Sequence, residues 1–279
     1  MPGVLTGKYG KTDKTGYNYD KETKMRGVFT ILCFLAFSAG LWAEILPENI
    51  PERLPEWMIP LRDAVYEQTL SVNDFDSLYQ AAKTAARENY TGIALDLALS
   101  RCEYLMGRAL QDLELDDEAR KHFLEGIRLT EKALQEDPGA EPWVLRTMSL
   151  AQACSIGPWT YTFRNGLDVE RFAKKALSFD NQNVDALYHI ASRWVYAPSP
   201  FNNLRRGIEL MQALLGNSGM EKDNFFNVYV SIGFAYVRQR KYDEARPWLL
   251  RAQEIYPSNK FVTELLGKRK TSYHKNLQD

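Results

Sequence analysis

Residues that could act in catalysis or hold a metal ion are few in this sequence and lie far apart. Its three histidines and three cysteines are His122, His189, His274, Cys33, Cys102 and Cys154. Zinc sites and disulfide frameworks need such residues in short, regular spacings, and none occurs here. The chain also has no glycine-rich phosphate loop and no nucleophile elbow. We therefore expect no metal, no cofactor and no catalytic residue, and so no enzymatic activity.

The remaining polar groups are explained most simply by helix formation. A lone histidine in a helical segment is usually packed or solvated, which is our interpretation of His122 and His189. The acidic run at residues 116–118 favours a helix N-terminus, where the helix dipole stabilises negative charge. Cys102 and Cys154 could pair if the protein is exported, or stay as free core thiols, and the sequence leaves both alternatives open.

Composition is that of a globular protein without affinity for polyanions. The 279 residues are 45% hydrophobic and carry a formal net charge of -1. Without a basic excess, nucleic acid is not an expected partner. The length is sufficient for a sizeable hydrophobic core.

The first 43 residues differ from the rest of the chain. Residues 1–24 are polar and without apolar periodicity, so we expect a disordered extension or a mis-annotated start, with Met25 as the true first residue. Residues 25–43 carry one arginine, an apolar run and then Ala43, the layout of a cleavable signal peptide. The alternative is an uncleaved membrane anchor, although a spanning helix needs about 20 apolar residues. We expect an exported, periplasmic or envelope-associated protein.

From residue 44 onward, apolar residues recur at helical spacing, and one stretch contains a regular pattern of small and large residues. After Gly233 come Ala245 twelve residues on, Leu249 sixteen on, Ala252 nineteen on and Pro257 twenty-four on. Small residues are required where two antiparallel helices approach closely, and a proline ends a helix.

This pattern resembles the tetratricopeptide repeat, a helix–turn–helix unit of 34 residues. The same offsets of 12, 16 and 19 follow Gly107, where they fall on Ala119, Phe123 and Gly126. They fit again after Ala191, with the second helix delayed by four residues. The sequence thus predicts an all-α, right-handed solenoid of about five helical hairpins over residues 44–279.

The outer members of the solenoid are less regular. Residues 61–88 form a degenerate first hairpin, and residues 261–270 form a capping helix, because terminal repeats need a polar outer face. The third hairpin is predicted at residues 142–153 and 168–178, with a long loop between its helices.

The resemblance places a binding groove on the concave side, which the first helix of each hairpin lines. The predicted groove residues are Tyr104, Arg108, Tyr188, Ser192, Val195, Tyr196, Val230, Phe234, Val237 and Arg238. Their apolar and aromatic character favours an amphipathic helix or an apolar ligand over a charged peptide terminus. The alternative is that the C-terminal segment of the chain fills the groove.

A second candidate surface consists of two predicted loops, residues 157–166 and 197–203, which should be neighbours along one edge of the solenoid. They carry the aromatic residues Trp159, Tyr161, Phe163 and Phe201. Long loops and exposed aromatic rings are typical of binding sites. The alternative is that these rings cover the ends of their own helices.

The function predicted from these features is that of an exported, non-enzymatic scaffold that binds another envelope protein. The export signal, the repeats and the insertion at residues 197–203 also resemble the periplasmic repeat component of tripartite ATP-independent transporters. That resemblance implies an accessory subunit that binds a solute-binding protein and a small apolar or organic-acid ligand. It transfers no residue roles, and the sequence leaves the oligomeric state open.

Overall fold

The computed structural model describes residues 50–275, with side chains up to Lys268. The predicted extension at residues 1–24 and signal segment at residues 25–43 lie outside these residues. Every element of the described part is a helix. The bounds are α1 Ile59–Glu67, α2 Val72–Asn89, α3 Gly92–Asp112, α4 Asp116–Glu136, α5 Ala140–Ile156, α6 Trp159–Phe179, α7 Val184–Tyr196, α8 Leu204–Leu214, α9 Lys222–Arg238, α10 Tyr242–Ile255 and α11 Lys260–Lys275.

The helices form a two-layered solenoid. Each helix packs on the next one in sequence, and each odd-numbered helix from α1 to α11 also packs on the next odd-numbered one. The odd-numbered helices therefore form one continuous inner row. The described residues thus contain five hairpins and the terminal helix α11, and the predicted all-α solenoid is confirmed.

The spacing of small and large residues has the predicted physical basis. A Cβ atom added at Gly107 would lie 2.5 Å from the buried ring of Phe123. One added at Gly233 would lie 2.5 Å from Cδ2 of Leu249. In both hairpins, the residue sixteen positions on occupies the space that the glycine leaves, so the two helices pack in close contact.

The third hairpin differs from its prediction. Helix α6 begins at Trp159, directly after Gly157 and Pro158, so the predicted long loop at residues 157–166 is wrong. Pro158 caps the start of α6, where a missing N–H costs nothing. Thr162 Oγ1 donates to the Cys154 carbonyl at 2.7 Å and helps to hold the first turn. The other predicted insertion, residues 197–203, is a loop.

Within the described part of the chain, no helix is long and apolar enough to cross a membrane. Cys102 and Cys154 are free thiols in the interior. Burial raises the pKa of the Cys102 thiol to about 12 and that of Cys154 to about 11. Both groups are therefore protonated, unreactive core side chains at neutral pH.

Candidate binding site on the concave face

A cavity of about 370 Å³ lies on the concave side, between α3, α5, α7, α9 and the two ends of the solenoid. Five of the ten predicted groove residues line it, namely Arg108, Tyr188, Ser192, Tyr196 and Val230. They come from three repeats that are far apart in sequence. The regular stacking of the odd-numbered helices brings them together.

Arg108 on α3 provides a positive charge in the wall of this cavity. Its Nη1 donates to the Tyr104 hydroxyl at 3.3 Å, which is its one hydrogen bond to the described residues. Burial alone would lower its pKa, but the nearby Tyr104 and Asp112 raise it, so the guanidinium remains charged. A guanidinium has five N–H donors, so several are available to a ligand.

Aromatic rings continue from the cavity to its rim, and we call Tyr196, Phe234 and Phe261 the aromatic ladder. The rings of Tyr196 and Phe234 stack at 5.2 Å between centroids, and those of Phe234 and Phe261 lie 5.9 Å apart. Tyr196 remains 42% exposed. Arg238 lies over the Phe234 ring and donates to the Val195 carbonyl at 2.6 Å.

Hydrogen bonds fix the tyrosines of the cavity. The hydroxyl of Tyr188 lies 3.2 Å from Ser231 Oγ, and that of Tyr196 lies 3.0 Å from the same atom. Ser231 in turn donates to the Asn227 carbonyl at 2.7 Å. Rings held in this way lose little conformational freedom when they bind a partner.

Five of the ten predicted groove residues do not line the cavity. Tyr104 and Phe234 contact residues that do, Arg238 lies over the Phe234 ring, and Val195 and Val237 lie elsewhere. Val195 is fully buried, because its side chain packs where Gly207 of α8 leaves space, so the prediction that it faces the groove is wrong. Val237 lines a small crevice near Tyr242 and Leu265 instead. Helix α8 begins later than the second helix of a regular repeat, and it therefore covers a different face of α7.

Helix α1 closes part of the concave face, which the repeat pattern does not predict. Its Tyr66 stacks on Tyr256 at 4.9 Å and accepts a hydrogen bond from Asn227 Nδ2 at 2.9 Å. Its Asp63 accepts hydrogen bonds from Lys222 Nζ at 3.3 Å and from the Tyr256 hydroxyl at 3.0 Å. The first helix thus fills part of the groove and joins the two ends of the solenoid, and Asn259 and Phe261 near the C-terminal end also line the cavity.

A second cavity, of about 450 Å³, lies further along the same helices and is rich in ionisable groups. Glu221 and Asp223 of α9 and Asp185 of α7 line it. Burial raises the pKa of Glu221 to about 7 and that of Asp223 to about 6, and the neighbouring carboxylates add to both shifts. At a pH between the ordinary and the raised pKa, each of these two carboxyl groups binds a proton in the folded protein and is ionised in the unfolded chain.

We expect the Glu221 and Asp223 carboxyls to lower the stability of the protein as the pH rises from about 4 to about 7. A carboxyl group with a raised pKa binds more protons when folded, so its ionisation opposes folding, by about 3 kcal/mol for Asp223. The lowered pKa of buried His189 acts in the opposite direction over the same range, so comparison with an Asp223 variant isolates the carboxyl effect. Urea unfolding across this pH range measures the slope. The Asp223→Asn variant should show a shallower slope, and an unchanged slope would contradict the assignment.

The four aromatic residues of the predicted loop edge do not form one surface in the structure. Trp159 and Phe163 lie in solvent on α6, with ring centroids 6.5 Å apart. Tyr161 instead packs against the core, and Arg120 lies 4.7 Å from its ring. Phe201 is exposed in the loop before α8. No ring contact joins Phe201 to the other three among the described residues.

The histidines of the described helices have structural roles. His189 is buried beside the first cavity, and burial lowers its pKa to about 4, so it is neutral at physiological pH. His122 Nδ1 lies 2.7 Å from a carboxylate oxygen of Glu103. Among the described residues, no group of histidine, cysteine and acidic side chains could hold a metal ion.

Among the cavity residues that the sequence analysis did not predict are Gln68, Asn259 and Phe261. They belong to the two ends of the solenoid, where no repeat position applies. The only available signal was the aromatic character of Phe261 in a terminal helix.

A family model described as tetratricopeptide repeat matches residues 226–259. No functionally curated protein matches the chain well enough to count as a relative. The matched segment contains most of α9 and the whole of α10, which carry Phe234 and Arg238 of the candidate site. Through this repeat, the chain is similar to the tetratricopeptide repeat family.

Proposed function

We propose that this protein is an exported, non-enzymatic scaffold that binds another protein of the cell envelope through its concave face. The repeat at residues 226–259 supports the proposal, because tetratricopeptide repeats generally mediate protein–protein interactions. The observation that carries it is the aromatic ladder, which leads from solvent into a cavity of about 370 Å³. Exposed aromatic rings beside a pocket are typical anchors of interfaces.

The size and the lining of the cavity limit the kinds of partner that could bind there. It is large enough for one or two anchoring side chains but too small for a whole helix, part of whose place α1 already takes. Four aromatic rings and the guanidinium of Arg108 line it, together with the Asp112 carboxyl and several amide and hydroxyl side chains. A partner that inserts an apolar side chain would pack against the rings, and a carboxylate beside that side chain would pair with Arg108.

We expect a photo-crosslinking amino acid at Tyr196 to capture the partner in intact cells of the host. Tyr196 lies at the rim and is 42% exposed, so a crosslinking ring there reaches whatever enters the cavity. Gel analysis and mass spectrometry of the adduct identify the captured protein.

Phe179 is the matched control, because it is a 53% exposed aromatic residue at the far end of α6. A discrete protein adduct from Tyr196 and none from Phe179 is the expected result. The proposal fails if Tyr196 yields no protein adduct, or if both positions yield the same adducts.

A second candidate function is that of an accessory subunit of solute transport that binds a small organic acid. The observation in its favour is Arg108, a charged guanidinium with unused donors in a cavity of small-molecule size. A carboxylate would pair with Arg108 while the rest of the ligand lies against Tyr188. Under this function, the isolated protein should carry a small molecule that the Arg108→Met variant lacks.

A further inference from the structure

Three large apolar side chains on one face of α6 lie in solvent, and we call Trp159, Phe163 and Leu167 the α6 stripe. They are 76%, 82% and 75% exposed. A spacing of four residues places them one above another on the same helix face. Soluble monomers rarely expose contiguous apolar patches of more than a few hundred Å² without a binding role.

The fold itself does not use this stripe. The core-facing side of α6 is made of Phe172, Ala173 and Ala176, which are buried. Tyr161, also on α6, packs against the core on the opposite side of the helix from the stripe. Helix α6 therefore has a buried face that belongs to the solenoid and a second apolar face that the described residues leave in solvent.

We infer that the α6 stripe is the interface of a symmetric dimer, in which α6 of one copy packs antiparallel on α6 of a second copy. The geometry of the stripe selects one register. In an antiparallel pair, only a twofold axis at Phe163 brings all three residues of both copies into contact. Trp159 then faces the partner's Leu167, and the two Phe163 rings meet at the axis.

A twofold arrangement suits a stripe of this form. In an isologous interface the same surface serves both subunits, so an apolar patch that is symmetric about its centre is self-complementary. The stripe has its large residues at equal distances on either side of Phe163. A second copy presents the same spacing in reverse, so each stripe residue of one copy meets a stripe residue of the other.

The area of the stripe is sufficient for a weak dimer. Large aromatic side chains bury about 150–250 Å² each, so the three exposed residues would bury roughly 450 Å² per copy. A stable interface buries about 800 Å² per partner, and the remainder would come from residues beside the stripe. The inference is thus of a dimer that depends strongly on the three stripe residues.

The residues beside the stripe permit close approach. Thr160 and Gly166 lie on either side of it, and both are small. A Cβ atom added at Gly166 would meet no atom nearer than Cγ2 of Thr162, at 3.9 Å. Two helices with small flanking residues can place their axes near the short end of the usual 8–10 Å range.

Site-specific disulfide formation tests the register directly in the full chain, purified as the host processes it. Phe163→Cys should give an oxidised dimer in high yield, because the two Cβ atoms face each other across the twofold axis. Phe179→Cys, on another face of the same helix, should stay monomeric. The wild-type chain is the background control, since its Cys102 and Cys154 are buried.

Sedimentation of the Phe163→Glu variant gives an independent readout. Two carboxylates at the axis would weaken self-association at least ~30-fold, the effect of losing one interface hot spot. Because Phe163 is 82% exposed, the variant should keep its helical content and melting temperature. Phe179→Glu should associate as wild type does.

Three outcomes would overturn the inference. The first is a wild-type chain that stays monomeric at high concentration, and the second is a Phe163→Cys variant that forms no disulfide-linked dimer. The third is a Phe163→Cys variant whose disulfide joins it to a different protein, or to Cys33 of the same chain, in place of a second copy. None of them bears on the concave cavity, so this inference can fail while the proposed function holds.

Discussion

Replacing Glu103 by alanine is expected to lower the free energy of unfolding by about 3–5 kcal/mol, the range for removing one partner of a buried ion pair. Glu103 lies on α3 and is 4% exposed. Its carboxylate accepts a hydrogen bond from the Tyr79 hydroxyl at 2.5 Å and one from Lys83 Nζ at 3.1 Å. His122 Nδ1 lies 2.7 Å from its other oxygen.

The effect is large because Glu103 joins three helices. Tyr79 and Lys83 belong to α2 and His122 to α4, so alanine would leave three polar groups without their shared partner. Burial alone would raise the pKa of Glu103, but the hydrogen bonds from His122 and Tyr79 and the charge of Lys83 together hold it below its usual value. The carboxylate therefore stabilises the fold at neutral pH, and that contribution is lost as the pH falls through its lowered pKa.

Denaturant unfolding at neutral pH measures the change. Glu125→Ala is the matched control, because Glu125 pairs with Arg128 at 2.6 Å but both side chains are largely exposed, at 40% and 59%. Loss of an exposed pair should cost about 0–1 kcal/mol. Equal effects of the two substitutions would show that the buried cluster does not hold α2, α3 and α4 together.

The Gly233→Val variant is expected to lose about 3 kcal/mol of stability, at the upper end of the range for overpacking. A Cβ atom at this position would lie 2.5 Å from Cδ2 and 2.6 Å from Cγ of Leu249. Leu249 is 1% exposed, and the narrow crevice that it lines leaves its side chain little room to move. The substitution should therefore force α9 and α10 apart, which thermal unfolding would report as a lower melting temperature.

Gly267→Ala provides the contrast, because Gly267 also lies within a helix but an added Cβ meets nothing within 4 Å. Alanine there should raise stability by about 0.5–1 kcal/mol through its higher helix propensity. If Gly233→Val were as stable as the wild type, the close approach of α9 and α10 would not exist as described.

The repeat architecture was predictable because close helix packing dictates which residues are small. Gly107 and Gly233 each face the large residue sixteen positions on, so the sequence spacing reports a physical contact. The same logic located Arg108, Tyr188 and Tyr196 on the inner row, where the structure places them around one cavity.

The failures have equally local causes. The segment 157–166 has glycine, proline and asparagine in positions typical of a loop, yet Pro158 is a helix-start residue and α6 begins directly after it. Gly166 lies well inside that helix. Val195 was misplaced because the delayed α8 brings Gly207 against it, a contact that the fixed repeat spacing does not contain.

The repeat pattern could not predict that α1 closes part of the concave face. Tyr66 meets Phe226, Asn227 and Tyr256 across some 160 to 190 positions of sequence. Such contacts depend on the accumulated curvature of all the repeats between them. They hold Phe226 and Asn227, two of the residues that line the cavity.

Native mass spectrometry of the protein, gently isolated from its own host envelope, tests the central proposal that the concave cavity is the binding site. We expect the wild-type protein to carry a bound species that the Phe234→Lys variant lacks, since that substitution disrupts the aromatic ladder. A protein-sized addition would support the scaffold function, and an addition of small-molecule mass would support the solute-binding one. A bare polypeptide mass, or the same bound species in both proteins, would contradict the proposed site.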